Sequence, residues 1–203
     1  MRKRIYVSAD YSLIDGDRDV VKILNDWSKD KSRLLDFVDM SQVVSGSISS
    51  SLDCRACDLK REFNNQINAS SAAIFVVGDK TSGRKAGSNC KRNSNEWSRC
   101  RCTPYKQNTN GSKLCKHPFV SFPGVNDDIG CINEYSYLRH EFEQAVHRNK
   151  TIIIVYNSLK KEPAWLPDYM KEFEDIAAPF WIKNNQGNKV GNYEYIKRSL
   201  GYA

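Results

Sequence analysis

Two groups of side chains in this sequence have the types and spacing to do chemistry. The first centres on one carboxylate, Glu141, in the stretch 135–156, which reads YSYLRHEFEQAVHRNKTIIIVY. Leu138, Phe142, Ala145 and Val146 recur at helical spacing and form one apolar stripe, with Arg139, His140, Glu143 and His147 directed away from it. Glu141 belongs to neither group. At roughly 100° per residue it lies about 60° to one side of Leu138, at the edge of the stripe and beside Tyr137 and Ala145. A carboxylate partly withdrawn from water at the front of a helix acts strongly on whatever binds beside it. The same spacing also fits a plain boundary residue paired with Arg148 or Arg139.

The second group is made of thiols. Cys100-x-Cys102 and Cys115-x-His117 supply four ligands of the kind that hold a tetrahedral zinc, and Cys90 or Cys131 could replace either member of a pair. Reduced, unliganded thiols are the other reading, and a cytosolic setting disfavours disulfides. Cys54-x-x-Cys57 precedes a predicted helix with no second pair nearby and reads as structural.

These groups are positioned by an alternation of strands and helices. RIYVS at 4–8 reads as a first strand, and a helix opening at Asp17 or Asp19 carries Val20, Ile23, Leu24 and Trp27 on one face. LLDFV at 34–38 is a second strand. Asp58 is expected to cap a helix with Leu59, Phe63 and Ile67 at i, i+4 and i+8, and AAIFVV at 72–77 is a third strand closed by Gly78. After the helix of Glu141 comes TIIIVY at 151–156. A short helix over 168–176, a last strand at 180–182 and a closing helix over 193–200 complete the chain. The pattern predicts an α/β, flavodoxin-like parallel sheet of about five strands with helices on both faces. Ligands in such sheets sit at the carboxyl ends of the strands. Here those ends carry Ser8, Asp10 and Tyr11, then Asp39 and Ser41, then Gly78.

The 203 residues read as one domain, 1–203, with an inserted segment at 79–132 where periodicity stops and five of the seven cysteines lie. The formal charge of +7 is concentrated there: ten Lys and Arg stand against four acids, leaving the rest of the chain near neutral. Trp97, Tyr105, Phe119 and Phe122 interleave with those cations. That mixture could stack on single-stranded nucleic acid, face an acidic protein or guide an anionic ligand, and a solvated face is the commonest outcome, so nucleic acid is not the expected partner. No apolar run approaches the ~20 residues of a membrane span. MRKRIYVSADY reads as a first strand and not a signal peptide, so a cytoplasmic protein without membrane attachment is expected.

Four segments resemble the TIR-like domains of bacteria, in particular the TIR-like sensors of Thoeris anti-phage defence systems. RIYVSADY is similar to the family's opening strand with its Ser-x-x-Tyr ending at Ser8 and Tyr11, and VDMS at 38–41 to its second strand end. LKREFNNQINASSAAIFVVGDKTS is similar to its helix, strand and Gly-x-x-Thr turn at Gly78 and Thr81. YLRHEFEQAVHRNKTIIIV is similar to its helix opening on aromatic-x-x-x-Glu, here Tyr137 and Glu141, with tyrosine where tryptophan is usual. The likeness covers most of 3–157 apart from the insertion, which is a short turn in simpler members.

The resemblance implies cleavage of NAD+ at the bond between nicotinamide and ribose, giving a cyclic or otherwise derivatised ADP-ribose messenger that reaches a downstream effector. Glu141 would stabilise the oxocarbenium-like ribose or act as a transient nucleophile. Tyr11 would stack on a ring of NAD+, Ser8 and Asp10 would bond ribose or phosphate, and Asp39 would orient the far side, with Ser41 and Tyr137 completing the substrate set. The chemistry itself requires no metal. Self-association is expected of such a domain. Two other readings stay open: a TIR-like scaffold without activity, which has no need of Glu141 or of the polar groups at Ser8, Asp10 and Tyr11, and a base-exchanging transferase acting on deoxynucleosides. A phosphoacceptor receiver is disfavoured because the third strand ends in Gly78 and not aspartate.

Overall fold

The computed structural model describes residues 3–12, 14, 16–30, 33, 35–39, 52–84, 106–108, 111–113 and 136–202. Five parallel strands form one sheet in the order β2-β1-β3-β6-β7, from β1 (Lys3–Ser8), β2 (Leu35–Asp39), β3 (Ala72–Val77), β6 (Thr151–Tyr156) and β7 (Ala178–Pro179). Two small antiparallel hairpins stand apart from it: β4 (Lys106–Asn108) with β5 (Gly111–Lys113), and β8 (Trp181–Lys183) with β9 (Lys189–Gly191). The α/β, flavodoxin-like reading holds. β3 and the last four residues of β6 are buried throughout, as strands covered on both faces must be.

Alternation along the strands sends side chains to two separate cores. On one face Ile5, Val7, Ile74, Val76, Ile153 and Val155 pack under α1 (Arg18–Lys29) and α4 (Tyr193–Ser199). On the other, Tyr6, Ala73, Phe75, Val77, Ile154 and Tyr156 pack under α2 (Leu52–Ala69) and α3 (Tyr137–His147). Phe142 is the hub of the second core, with ring contacts to Phe75 at 5.2 Å and Phe173 at 5.2 Å.

Several boundaries differ from the sequence reading. Asp58 does not cap α2: the helix already runs from Leu52, because the sequence from there contains neither Gly nor Pro to stop it, and Cys54 and Cys57 lie inside it. The segment 168–176 is a 3-10 helix. The fifth sheet strand is the two-residue β7, and Trp181–Lys183 instead turns away to pair with Lys189–Gly191.

His140 is also corrected. It does not point away from the buried side but is 0% exposed, because α2 covers the flank of α3 that the apolar stripe leaves polar. The seam between the two helices carries two polar pairs: the ring Nε2 of His140 lies 2.8 Å from Asn64 Oδ1, and Gln144 Nε2 donates to Asn68 Oδ1 at 3.0 Å.

The β8–β9 hairpin is held to the first core by contact with Trp27 of α1. A side chain at Gly191 would begin 2.7 Å from the Trp27 ring and 3.1 Å from Ile23, so only glycine lets the hairpin approach. We therefore expect Gly191→Ala to lower stability by about 1–3 kcal/mol, read as a fall in the urea midpoint with an unchanged slope.

Candidate active site

The strand order reverses direction between β1 and β3: the chain steps one way from β1 to β2 and the other way from β1 to β3. A crevice opens at the carboxyl end of the sheet at such a point. Ser8 closes β1 on one side of it, 1% exposed, and on the other side the chain leaves β3 through Gly78 and a 3-10 turn, Thr81–Gly83. Gly78 N–H donates to Thr81 Oγ1 at 2.8 Å, which fixes the exit of that turn. Asp10 and Arg84 form an ion pair across the crevice.

Glu141 enters from above on the N-terminal half of α3. The helix starts where Ser136 Oγ accepts from the backbone N–H of Arg139 at 3.1 Å, and the apolar face of Leu138, Phe142 and Ala145 then seats it on β3 and β6. That seating buries Glu141 as well, leaving it 5% exposed. Burial pushes its carboxyl from 4.5 up to about 8, and the nearby hydroxyls of Ser8 and Tyr6 draw it partway back. Both hydroxyls are fully enclosed and neither closes a well-formed hydrogen bond. The Tyr6 hydroxyl is itself pushed well above its ordinary value, first by burial and then by the charge of Glu141. The result is a carboxyl near its titration point faced by two enclosed hydroxyls.

Of the residues singled out in the sequence, Ser8 and Glu141 come together and Asp10 lies just beyond them at the mouth of the crevice. Asp10 also accepts from Ser12 N–H at 2.9 Å. Tyr11 donates its hydroxyl to the Val7 carbonyl at 3.2 Å, with its ring packed toward the α1 side. Tyr137 meets Phe63 of α2 edge-on at 5.5 Å. Asp39 ends β2 in register with Val7. Ser41, and the thiol group of Cys100, Cys102, Cys115 and His117, lie outside the described residues. Among the described residues no cluster of three His, Cys, Asp or Glu is placed to hold a metal, and no helix is long and apolar enough to cross a membrane.

Three contributors were missed in the sequence. Tyr6 is legible in hindsight: it stands two residues before Ser8 in a strand, so both share a face. Arg84 and Tyr169 carry no such signal. They help line a cavity of about 820 Å³, walled by Thr81, Ser82 and Arg84, by Ser136 and Arg139, and by the segment from Pro163 to Lys171. Its cations are already paired, Arg139 with Glu143 at 2.7 Å and Lys171 with Asp168 at 2.6 Å. Glu141 does not line the cavity. Tyr169 does: burial raises its hydroxyl, and its ring lies 5.7 Å from that of Phe142, the residue next to Glu141 in α3.

A carboxyl whose folded-state pKa exceeds its unfolded value favours the fold most when protonated. The contribution is complete below about pH 4.5 and is lost as pH rises through about 8. Glu141→Gln, which is neutral throughout, should therefore be more stable than the native chain at pH 9, by on the order of 3–5 kcal/mol, and nearly equal to it at pH 4.5. Paired denaturant titrations at the two values check this, and equal midpoints at pH 9 would contradict the burial assigned to the carboxyl.

No family model matches the chain, and no curated protein matches it at a significant level. Among solved structures, the chain is similar to one titled "Crystal Structure of a prokaryotic SEFIR domain", at 15% identity and a TM-score of 0.37, over 98% of this chain and 94% of that one. At that level the likeness carries no functional argument, and the fold stands on the strand order and register described above.

Proposed function

We propose that this chain is a bacterial TIR-like NAD+ glycohydrolase or cyclase, which breaks the nicotinamide–ribose bond and yields an ADP-ribose-derived signalling nucleotide in anti-phage defence of the Thoeris kind. One observation carries the reading: a buried glutamate raised to about 8 stands at the reversal point of the sheet, faced by two enclosed hydroxyls.

The chemistry suits those groups. Nicotinamide leaves with the electron pair of the C1′–N bond, turning from cation to neutral base, and the ribose becomes oxocarbenium-like. The carboxylate of Glu141, held out of water, stabilises that developing charge more than the ground state. A water oxygen then attacks C1′ and releases a proton in hydrolysis, or a nucleophile within ADP-ribose does so in cyclisation. The positive ring of the incoming substrate lowers the carboxyl's pKa and favours the ionised form needed for this step. Ser8 and Tyr6 would donate to substrate oxygens or to the carboxylate. The cavity between Arg84, Arg139 and Tyr169 has a volume suited to a nucleotide, with cations that can exchange an internal partner for phosphate.

A second reading is favoured by one specific observation: Glu141 is 5% exposed and does not line that cavity, as suits a resting state or a non-catalytic scaffold that self-associates. Mass spectrometry of the small molecules formed from NAD+ separates the two. Under the enzyme reading the native chain releases nicotinamide with an ADP-ribose-derived product, in buffer or in extract from infected cells, and Glu141→Gln is slower by at least about a hundredfold. kcat/KM should rise with pH and level off above about 8, where the free carboxyl is ionised. Intact NAD+ under every condition would leave the scaffold reading.

A further inference from the structure

Asp17 precedes the first residue of α1, where an aspartate ordinarily accepts from the helix's own N–H groups, yet it makes no such capping bond. Its side chain is 4% exposed, and Oδ1 accepts from Asn157 Nδ2 at 3.0 Å, across the top of the sheet at the end of β6. Asn157 is itself fixed: its backbone N–H donates to the Val77 carbonyl at 2.9 Å, its Oδ1 accepts from Trp181 Nε1 at 2.6 Å, and its Nδ2 also reaches Asp19 Oδ1 at 3.0 Å. Gly78 closes the third side, because a side chain there would begin 2.5 Å from Asp17 Oδ1.

No cation pairs with Asp17 among the described residues. Burial raises its carboxyl to about 6, aided by the charges of Asp10 and Asp19, while the bond from Asn157 acts against the rise. A buried acid that has given up its capping role and is not neutralised by a base needs a reason to be kept. The reason lies in the loop it ends. Asp17 N–H donates to the Asp10 carbonyl at 2.7 Å, and Ser12 N–H donates to the Asp10 side chain, so residues 10–17 close into a ring. Gly16 fills that ring so tightly that a side chain would meet the Asp10 and Ser12 carbonyls at 2.5 Å.

We propose that Asp17 is a positioning residue: it latches the 10–17 ring to the end of β6 through Asn157, and so holds Asp10, with Arg84 on it, at the mouth of the crevice two residues beyond Ser8. The latch joins the ends of three strands, β1 through the ring, β3 through Gly78 and β6 through Asn157. Its effect on turnover rests on the NAD+ reading above, whereas its effect on the ring does not.

Two measurements on the full chain test it: hydrogen exchange of the Ser12 and Asp17 amides, and NAD+ cleavage split into kcat and KM. Asp17→Ala and the milder Asn157→Ser should each speed exchange of both amides and raise KM about tenfold, with kcat changed less than about threefold. Gly78→Ala, which pushes on the carboxylate from the other side, should do the same. Asp17→Asn keeps an oxygen for Asn157 and should restore slow exchange and a near-native KM. Unchanged exchange in Asn157→Ser and Gly78→Ala, or an Asp17→Asn variant as impaired as Asn157→Ser, would overturn the latch. If the native chain leaves NAD+ intact, the activity reading fails alone, and the exchange data still decide the latch.

Discussion

Everything at the crevice depends on how α3 is seated. Leu138, Phe142 and Ala145 must reach the second core, and Phe142 is gripped between Phe75 and Phe173. A helix held by that face carries Glu141 inward whether or not water follows, because the position lies only about 60° from Leu138. The hydrophobic contact therefore sets the electrostatics: the carboxyl is dragged to 5% exposure and rises to about 8. The partial compensation from Ser8 and Tyr6 comes from the neighbouring strand, so the state of the carboxyl is shared between one helix and β1.

The arrangement at the mouth follows from topology. Because β1 lies between β2 and β3, the loops after β1 and β3 diverge, and polar side chains can meet in the gap between them. Asp10 and Arg84 do so from opposite banks, with Asp17 bracing the same gap on the α1 side. Acids that would only cap turns in isolation thus become links between strand ends.

Much of this was legible in the sequence, because strands buried on both faces and helices with one apolar stripe leave strong periodic marks. β3 and β6 fall on the expected residues, and the helix of Glu141 was placed from its spacing alone. Periodicity names the face that meets the sheet, but it is blind to a second neighbour. His140 sits opposite the stripe and still is wholly enclosed, because α2 packs there and meets it with the amide of Asn64. The same blindness made Glu141 look like an edge residue when it is enclosed. Asp17 was hidden for another reason: an aspartate before a helix is so well explained as a cap that nothing marks one turned toward a loop 140 positions away.

The seam between α2 and α3 limits how the carboxyl can ever be uncovered. Its two pairs, Asn64 with His140 and Asn68 with Gln144, are spaced four residues apart on both helices and run in the same direction. They act as teeth of equal pitch. Sliding α3 by anything less than a full turn, about 5.4 Å, breaks both pairs at once, and a full turn leaves a buried polar side chain of α3, Gln144 or His140 depending on direction, unmatched. Small axial drift is therefore suppressed, and the helix bearing Glu141 behaves as a fixed post.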